Sequence, residues 1–179
     1  MIQQKYIFLD RDGVINIDSN EYIKTVDEWE PLPKSIEAIK RLSDNNYQII
    51  IISNQSGIDR GLIKPIDFIH INAKMLSMVN GAGGSIAAIL YCPSLPSSKN
   101  PNRKPKPGMF LDIAERMNIK LSRCYAIGDS PRDIEASYAA KCKPIAVRTG
   151  NGAKIDDNNE YNVPIFDDLL DAVDFVLSQ

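Results

Sequence analysis

The sequence predicts an α/β protein: an open, doubly wound parallel sheet with helices on both faces and no separate cap domain. Three observations carry that expectation. Short apolar runs alternate with segments of helical periodicity, as strands and crossover helices do. The runs are apolar throughout and do not alternate with polar residues, which marks strands buried on both faces. Polar residues of chemical interest follow directly on three of them, the place where ligands sit beyond the carboxyl ends of parallel strands.

The elements follow in order. Tyr6, Ile7, Phe8 and Leu9 form the first run, and Ile36, Ile39 and Leu42 recur at helical spacing behind it. A second strand is expected at 49–52, followed by a helix read from Phe68, Ala73, Leu76 and Val79. A third strand is placed at 86–91. The stretch 92–107 breaks the rhythm with five of the chain's 11 prolines and ends in the basic cluster Arg103, Lys104 and Lys106, which reads as a functional loop. Phe110, Ile113 and Met117 mark another helix, 124–127 a fourth strand, and 144–147 a fifth. A last helix carries Leu169, Leu170, Val173, Val176 and Leu177 on one face, with Asp167 or Asp168 favouring its N-terminal end.

With 179 residues, 44% of them hydrophobic, the chain suits a single domain spanning 1–179. A formal charge of -2 gives no global footprint for nucleic acid or an anionic membrane, so any anion site must be local. No apolar run is long enough to cross a bilayer. The first strand begins within a few residues of the start, which leaves no room for a signal peptide, so a cytoplasmic location is expected. Cys92, Cys124 and Cys142 fit free structural thiols in a reducing compartment. A monomer is the default.

Four motifs carry chemistry. Asp10-Arg11-Asp12-Gly13 follows the first strand; one carboxylate can attack phosphorus while holding Mg²⁺, and its neighbour two residues on can protonate the leaving oxygen. Alone, the tetrapeptide is equally an ordinary Asp-Gly turn. Ser53 and Asn54 close the most apolar strand, where they either cap a helix or, with the amides of 54–57, cradle phosphate oxygens. Lys104 offers a point charge for a transferring phosphoryl group, and Arg103 a planar fork for a second phosphate or a sugar. Asp129, after Gly128, offers a second hard oxygen to Mg²⁺. Asp133, one helical turn on, either caps the helix that starts near Pro131 or supports the metal at second remove. His70 sits in a helical pattern with no motif around it and reads as structural or surface.

With these motifs the chain resembles the haloacid dehalogenase superfamily of aspartyl-phosphate phosphatases over most of its length. Within it, the sequence is similar to the D-glycero-D-manno-heptose 1,7-bisphosphate phosphatases and the histidinol-phosphatase domains. The resemblance rests on the string from Phe8 to Asn16, on Ser53-Asn54-Gln55-Ser56-Gly57-Ile58 with Arg60-Gly61, and on Arg103-Lys104-Pro105 with Pro107-Gly108-Met109. It implies Asp10 as nucleophile and Mg²⁺ ligand, Asp12 as general acid/base and ligand through its main-chain carbonyl, and Ser53 and Lys104 as phosphoryl stabilisers. Asp129 completes the metal set. It also implies substrate contacts from Asp18, Ser19, Asn20 and Glu21, from Asn54, Gln55 and Ser56, and from Arg103.

Two departures stand out. Relatives commonly bind zinc in the proline-rich loop, but here Ser94, Asn100 and Asn102 stand where three of the ligands would fall, and Cys92 alone cannot hold a tetrahedral zinc. No structural zinc is expected. Ser130 stands where the heptose phosphatases often have lysine. The intervals between motifs are filled by a helix, a strand and their loops, which leaves no room for a cap domain and assigns substrate selection to 18–29 and the proline-rich loop. The expected reaction is hydrolysis of a small phosphorylated sugar, heptose 1,7-bisphosphate to heptose 1-phosphate. Histidinol phosphate is the alternative substrate, and a non-catalytic phospholigand-binding domain is the alternative of another class.

Overall fold

The computed structural model describes residues 4–156 and 160–179. Six strands, β1 (Lys5–Leu9), β2 (Tyr47–Asn54), β3 (Ala88–Cys92), β4 (Tyr125–Gly128), β5 (Lys143–Val147) and β6 (Ile165–Phe166), form one sheet in the order β3-β2-β1-β4-β5-β6. Every ladder is parallel. Around it run α1 (Ser35–Asp44), α2 (Pro65–Gly81), α3 (Gly108–Met117), α4 (Pro131–Ala139), the short α5 (Ala153–Asp156) and α6 (Leu169–Leu177). Among the described residues, no helix is long and apolar enough to cross a membrane.

Side-chain alternation along the strands sorts the apolar runs into two cores. Ile7, Leu9, Ile49, Ile51 and Ile127 pack on one face with α1, α2 and α6, through residues such as Ile39, Met75 and Val173. Phe8, Ile50, Ile52 and Ala126 pack on the other with Phe110 and Ile113 of α3 and Ala136 of α4. Burial of both faces is why these strands read as unbroken hydrophobic runs.

The structure corrects three details. The buried stripe of α2 is Phe68, Ile71, Met75 and Val79; Ala73 is exposed and Leu76 only half-buried, because the steps from 68 to 73 to 76 drift around the helix while 68, 71, 75 and 79 keep to one side. β3 starts at Ala88, not at 86, and runs to Cys92, paired with Asn54. β6 and α5 have no counterpart in the sequence reading.

The sheet order reverses between β1 and β4, since β1 leads outward through β2 and β4 leads the other way through β5. Crossovers that diverge at such a point leave a crevice at the strand ends, and both Asp10 and Asp129 follow these two strands. Nearby, the 10–34 connection is anchored by Trp29, which is 0% exposed. Lys74 of α2 holds it there, its Nζ donating to the carbonyls of Val26 and Trp29 at 2.8 Å each. Trp29→Ala is expected to cost about 3–5 kcal/mol in urea unfolding, the range for truncating a large buried aromatic; a loss below about 1 kcal/mol would contradict that anchoring role.

Candidate active site

The strands and α4 bring three carboxylates together. Ligand oxygens of Asp10, Asp129 and Asp133 lie within 4.8 Å of one another, and all three residues are buried. The Asp10 amide still donates to Ile127 at 3.0 Å, so β1 stays tied to β4 up to the carboxylate. Asp133 reaches back to the Ser130 amide at 3.1 Å in a capping box that starts α4. Lys104, 3% exposed, arrives from the proline-rich loop. Its ammonium stands 3.0 Å from Asp10 Oδ2 and 2.6 Å from Asp133 Oδ1, and donates to the Ile52 carbonyl at 2.8 Å.

One ammonium does not balance three buried carboxylates. Burial pushes Asp10 up to about 8 against the pull of Lys104, with the charges of Asp133 and Asp129 adding to the rise. Burial and then the Asp133 charge push Asp129 up to about 6. Burial would raise Asp133 too, but Lys104 and Arg132 outweigh it and hold that carboxyl below the usual range. A buried excess of negative charge is relieved by protons or by a hard cation. Asp129 is shaped for the latter: Oδ2 accepts the Asn151 amide at 2.8 Å, while Oδ1 is buried with no donor.

Asp12 points elsewhere. Arg11 Nε and Nη2 grip its carboxylate at 3.1 and 2.9 Å, Asn16 Nδ2 donates at 2.9 Å, and Gln55 Nε2 donates at 2.6 Å. Burial opposes its ionisation, but the Arg11 charge and these hydrogen bonds hold it below the usual carboxylate range. Asp10, Asp12 and Ser53 share a cavity of about 280 Å³. A roomier space of about 470 Å³, at the opposite ends of the strands, is lined by Lys5, Tyr47 and Lys143 among others and by no Asp or Glu. Among the two, the smaller one is lined by the carboxylates Asp10, Asp12 and Asp18.

Comparison with known proteins agrees with this geometry. Residues 4–141 match the family described as haloacid dehalogenase-like hydrolase. The chain belongs to that family. It is 43% identical over 169 residues to a Pseudomonas aeruginosa protein named D-glycero-beta-D-manno-heptose-1,7-bisphosphate 7-phosphatase, covering 94% of this chain and 95% of the relative. A Neisseria meningitidis protein of the same name is 39% identical over 179 residues, covering 98% and 96%. The crystal structure of a D,D-heptose 1,7-bisphosphate phosphatase from B. bronchiseptica, complexed with magnesium and phosphate, superposes with a TM-score of 0.94 at 39% identity, covering 97% of this chain and 98% of that one.

In this haloacid dehalogenase-like hydrolase, hard carboxylate oxygens, one of them without a donor, fit Mg²⁺. The raised carboxyls give its binding a pH signature. In metal-free protein Asp10 and Asp129 hold protons better folded than unfolded, so their contribution to stability is complete below the ordinary carboxyl range and is lost as pH rises through about 6 and about 8. Mg²⁺ must displace those protons. Its stabilisation in a thermal melt is therefore expected to be larger at about pH 8 than at about pH 5.5, and the reverse order would contradict the assignment.

Asp18, Ser19 and Asn20 line the cavity from the 10–34 connection, Ser56 from the turn after β2, and Arg103 from the proline-rich loop. Glu21 does not; it faces a neighbouring surface groove with Ile17 and Lys24. Asn54 lines the cavity, but its amide is spent on the Lys104 main chain, accepting from its N–H and donating to its carbonyl at 3.0 Å each. That clamp fixes Lys104 to the end of β2. Gln55 likewise joins Asp12 to Ser53, donating to the Ser53 hydroxyl at 2.8 Å. In the proline-rich loop Asn100 Nδ2 donates to Ser94 Oγ at 2.8 Å, the Asn102 amide donates to Asn100 Oδ1 at 2.9 Å, and Arg103 Nη1 donates to the Ser94 carbonyl at 2.7 Å. His70 is exposed.

Sequence reasoning missed the turn after β5. Thr149 Oγ1 donates to the Gly13 carbonyl at 2.6 Å and Asn151 holds Asp129. The position of 149–151 just beyond a strand beside β4 was the available signal. Between these residues Gly150, at φ +60°, lies where a Cβ would stand 2.1 Å from Asp129 Oδ2 and 2.7 Å from the Gly13 Cα. Gly150→Ala is expected to lower Mg²⁺-dependent activity about 10- to 100-fold by displacing Asp129, as disturbed support of metal ligands does. Unchanged Mg²⁺ activation in a titration would contradict it.

Proposed function

We propose that this chain is a Mg²⁺-dependent phosphatase that converts D-glycero-D-manno-heptose 1,7-bisphosphate to heptose 1-phosphate through a phosphoryl group carried on Asp10, within a single domain spanning 1–179. The observation that carries it is the buried cluster of Asp10, Lys104, Asp129 and Asp133, from which Asp10 lines a cavity together with Asp12 and Ser53. Relatives of nearly equal length bearing that activity in their names support the substrate.

Asp10 attacks the 7-phosphorus in line, forming an Asp10 O–P bond as the bond from phosphorus to the sugar oxygen breaks. Asp12 gives its proton to the departing alkoxide. Water, giving its proton to the same Asp12, then attacks phosphorus, breaks the Asp10 O–P bond and releases phosphate. Lys104, already beside Asp10 Oδ2, and the Ser53 hydroxyl offset charge on the phosphoryl oxygens. Asp10, Asp129 and the Asp12 main-chain carbonyl would hold Mg²⁺, which would supply further charge neutralisation there. Asp133 supports the set at one remove, by anchoring Lys104. Arg11, Asn16 and Gln55 hold Asp12 ionised in the free protein, so its acid role requires those bonds to give way and the carboxylate to take up a proton from solvent as substrate enters.

The proline-rich loop reads as zinc-free, closed by the hydrogen bonds of Ser94, Asn100 and Asn102. Stoichiometric zinc in metal analysis of the purified protein would overturn that. The three cysteines are free and buried, which supports the cytoplasm as the compartment. Histidinol phosphate is the less favoured substrate, because the cavity carries guanidinium groups beyond the cation that a single phosphoryl group uses. Phosphate-release assays should show kcat/KM for the heptose bisphosphate at least about tenfold above that for histidinol phosphate, a difference of about 1.4 kcal/mol in transition-state binding. The opposite ranking would overturn the substrate.

A further inference from the structure

The turn after β5 touches three parts of the site that the chain order keeps apart. Thr149 closes it onto the Gly13 carbonyl, in the motif of the nucleophile. Asn151 spans the other two. Its main-chain amide and its side-chain Nδ2 both donate to Asp129 Oδ2, at 2.8 and 3.3 Å, and the same Nδ2 donates to Asp18 Oδ2 at 3.1 Å. Lys154 Nζ donates to Asn151 Oδ1 at 3.3 Å, which leaves the amide nitrogen facing the two carboxylates. A side-chain amide has two hydrogens to give, so one nitrogen serves both at once. The two carboxylates have different tasks. Asp129 offers the metal an Oδ1 that is buried without a donor among the described residues. Asp18 lines the catalytic cavity from the 10–34 connection; the Ser19 amide donates to its Oδ1 at 2.8 Å, and both oxygens keep lone pairs for sugar hydroxyls.

We infer that the Asn151 side chain is a positioning residue that couples sugar binding at Asp18 to Mg²⁺ binding at Asp129, so that each ligand raises the affinity of the other. The inference rests on the sugar-phosphate reading above. Its physical ground is shared ordering. A sugar hydroxyl on Asp18 fixes that carboxylate and, through Nδ2, the Asn151 amide that ties Asp129 Oδ2, so the conformational cost of ordering all three falls on whichever ligand binds first. The effect is reciprocal, because one coupling free energy belongs to both sites. The competing explanation is that Asn151 only holds Asp129 in place. That role would weaken Mg²⁺ binding alike whatever else is bound.

The test measures the Mg²⁺ dissociation constant by calorimetric titration of wild type, Asn151→Ala and Asn151→Ser, each alone, with saturating heptose 1-phosphate and with saturating inorganic phosphate. In wild type, heptose 1-phosphate should tighten Mg²⁺ binding at least about fivefold, and Asn151→Ala should bring that factor below about twofold. Without any sugar, Asn151→Ala should weaken Mg²⁺ by no more than about tenfold, since the main-chain amide still holds Asp129. Asn151→Ser has one hydrogen to give and should lose the coupling as alanine does. Inorganic phosphate has no sugar hydroxyl for Asp18, so its effect on Mg²⁺ should be the same in all three proteins. A wild-type coupling factor retained in Asn151→Ala, or a loss that is equal with both ligands, would overturn the inference. Failure of wild type to bind heptose 1-phosphate at all would overturn it together with the substrate reading on which it stands.

Discussion

Asp10→Asn is expected to abolish turnover, lowering kcat by at least about ten-thousand-fold, the scale seen when a covalent nucleophile is removed. An amide neither attacks phosphorus nor carries the phosphoryl group. The same variant is expected to stay folded. The Asp10 carboxyl, raised to about 8 by burial, already favours its neutral form near neutrality without metal, and the amide mimics that form. Lys104 keeps Asp133 and the Ile52 carbonyl as partners. The metal-free melting temperature is therefore expected to match or exceed that of the wild type, while the gain on adding Mg²⁺ shrinks. Phosphate release and paired melts with and without Mg²⁺ check both halves, and wild-type turnover would contradict the mechanism.

Lys104→Met acts on folding and chemistry together. It leaves Asp10 and Asp133 close together without the ammonium that pairs with both, in a buried site. Breaking a buried ion pair by removing one partner costs about 3–5 kcal/mol, and loss of a transition-state charge partner costs about 100- to 1000-fold in kcat. The stability loss has a pH direction. Without Lys104 the Asp10 carboxyl shifts further upward and Asp133 loses a charge that holds it below the usual range, so the variant's deficit relative to wild type grows as pH rises from the acid range, where both hold protons, through about 8, where Asp10 titrates. Urea unfolding at several pH values measures it, and a deficit that is flat or larger in acid would contradict the charge argument.

What the sequence revealed follows from locality. β1, β2, β4 and β5 are buried on both faces, so Ile7 to Leu9 or Ile49 to Ile52 announce themselves without reference to neighbours. β6 is two residues long and exists through its pairing of Ala146 with Ile165 and Val147 with Phe166, which no local pattern records. In the site, Asp10, Ser53 and Asp129 were legible because each ends a recognisable strand. Lys104 was legible because it closes a basic, proline-rich loop. The direction of the Asp12 carboxylate was not, since it depends on Arg11, Asn16 and a Gln55 that is 43 residues away in the chain. Glu21 sits in sequence beside cavity residues, yet the turn from Ser19 to Tyr22, with Tyr22 at φ 65°, directs it to another groove.

The central claim is that Asp10 carries the phosphoryl group between the two halves of the reaction. Rapid acid quench of wild-type enzyme during turnover of heptose 1,7-bisphosphate, followed by peptide mass spectrometry, tests it most directly. The phosphoryl increment is expected on the peptide containing Asp10, localised to that side chain and absent in Asp10→Asn. Steady turnover with no phosphoryl group on Asp10 at any quench time, or with the group on another residue, would contradict it.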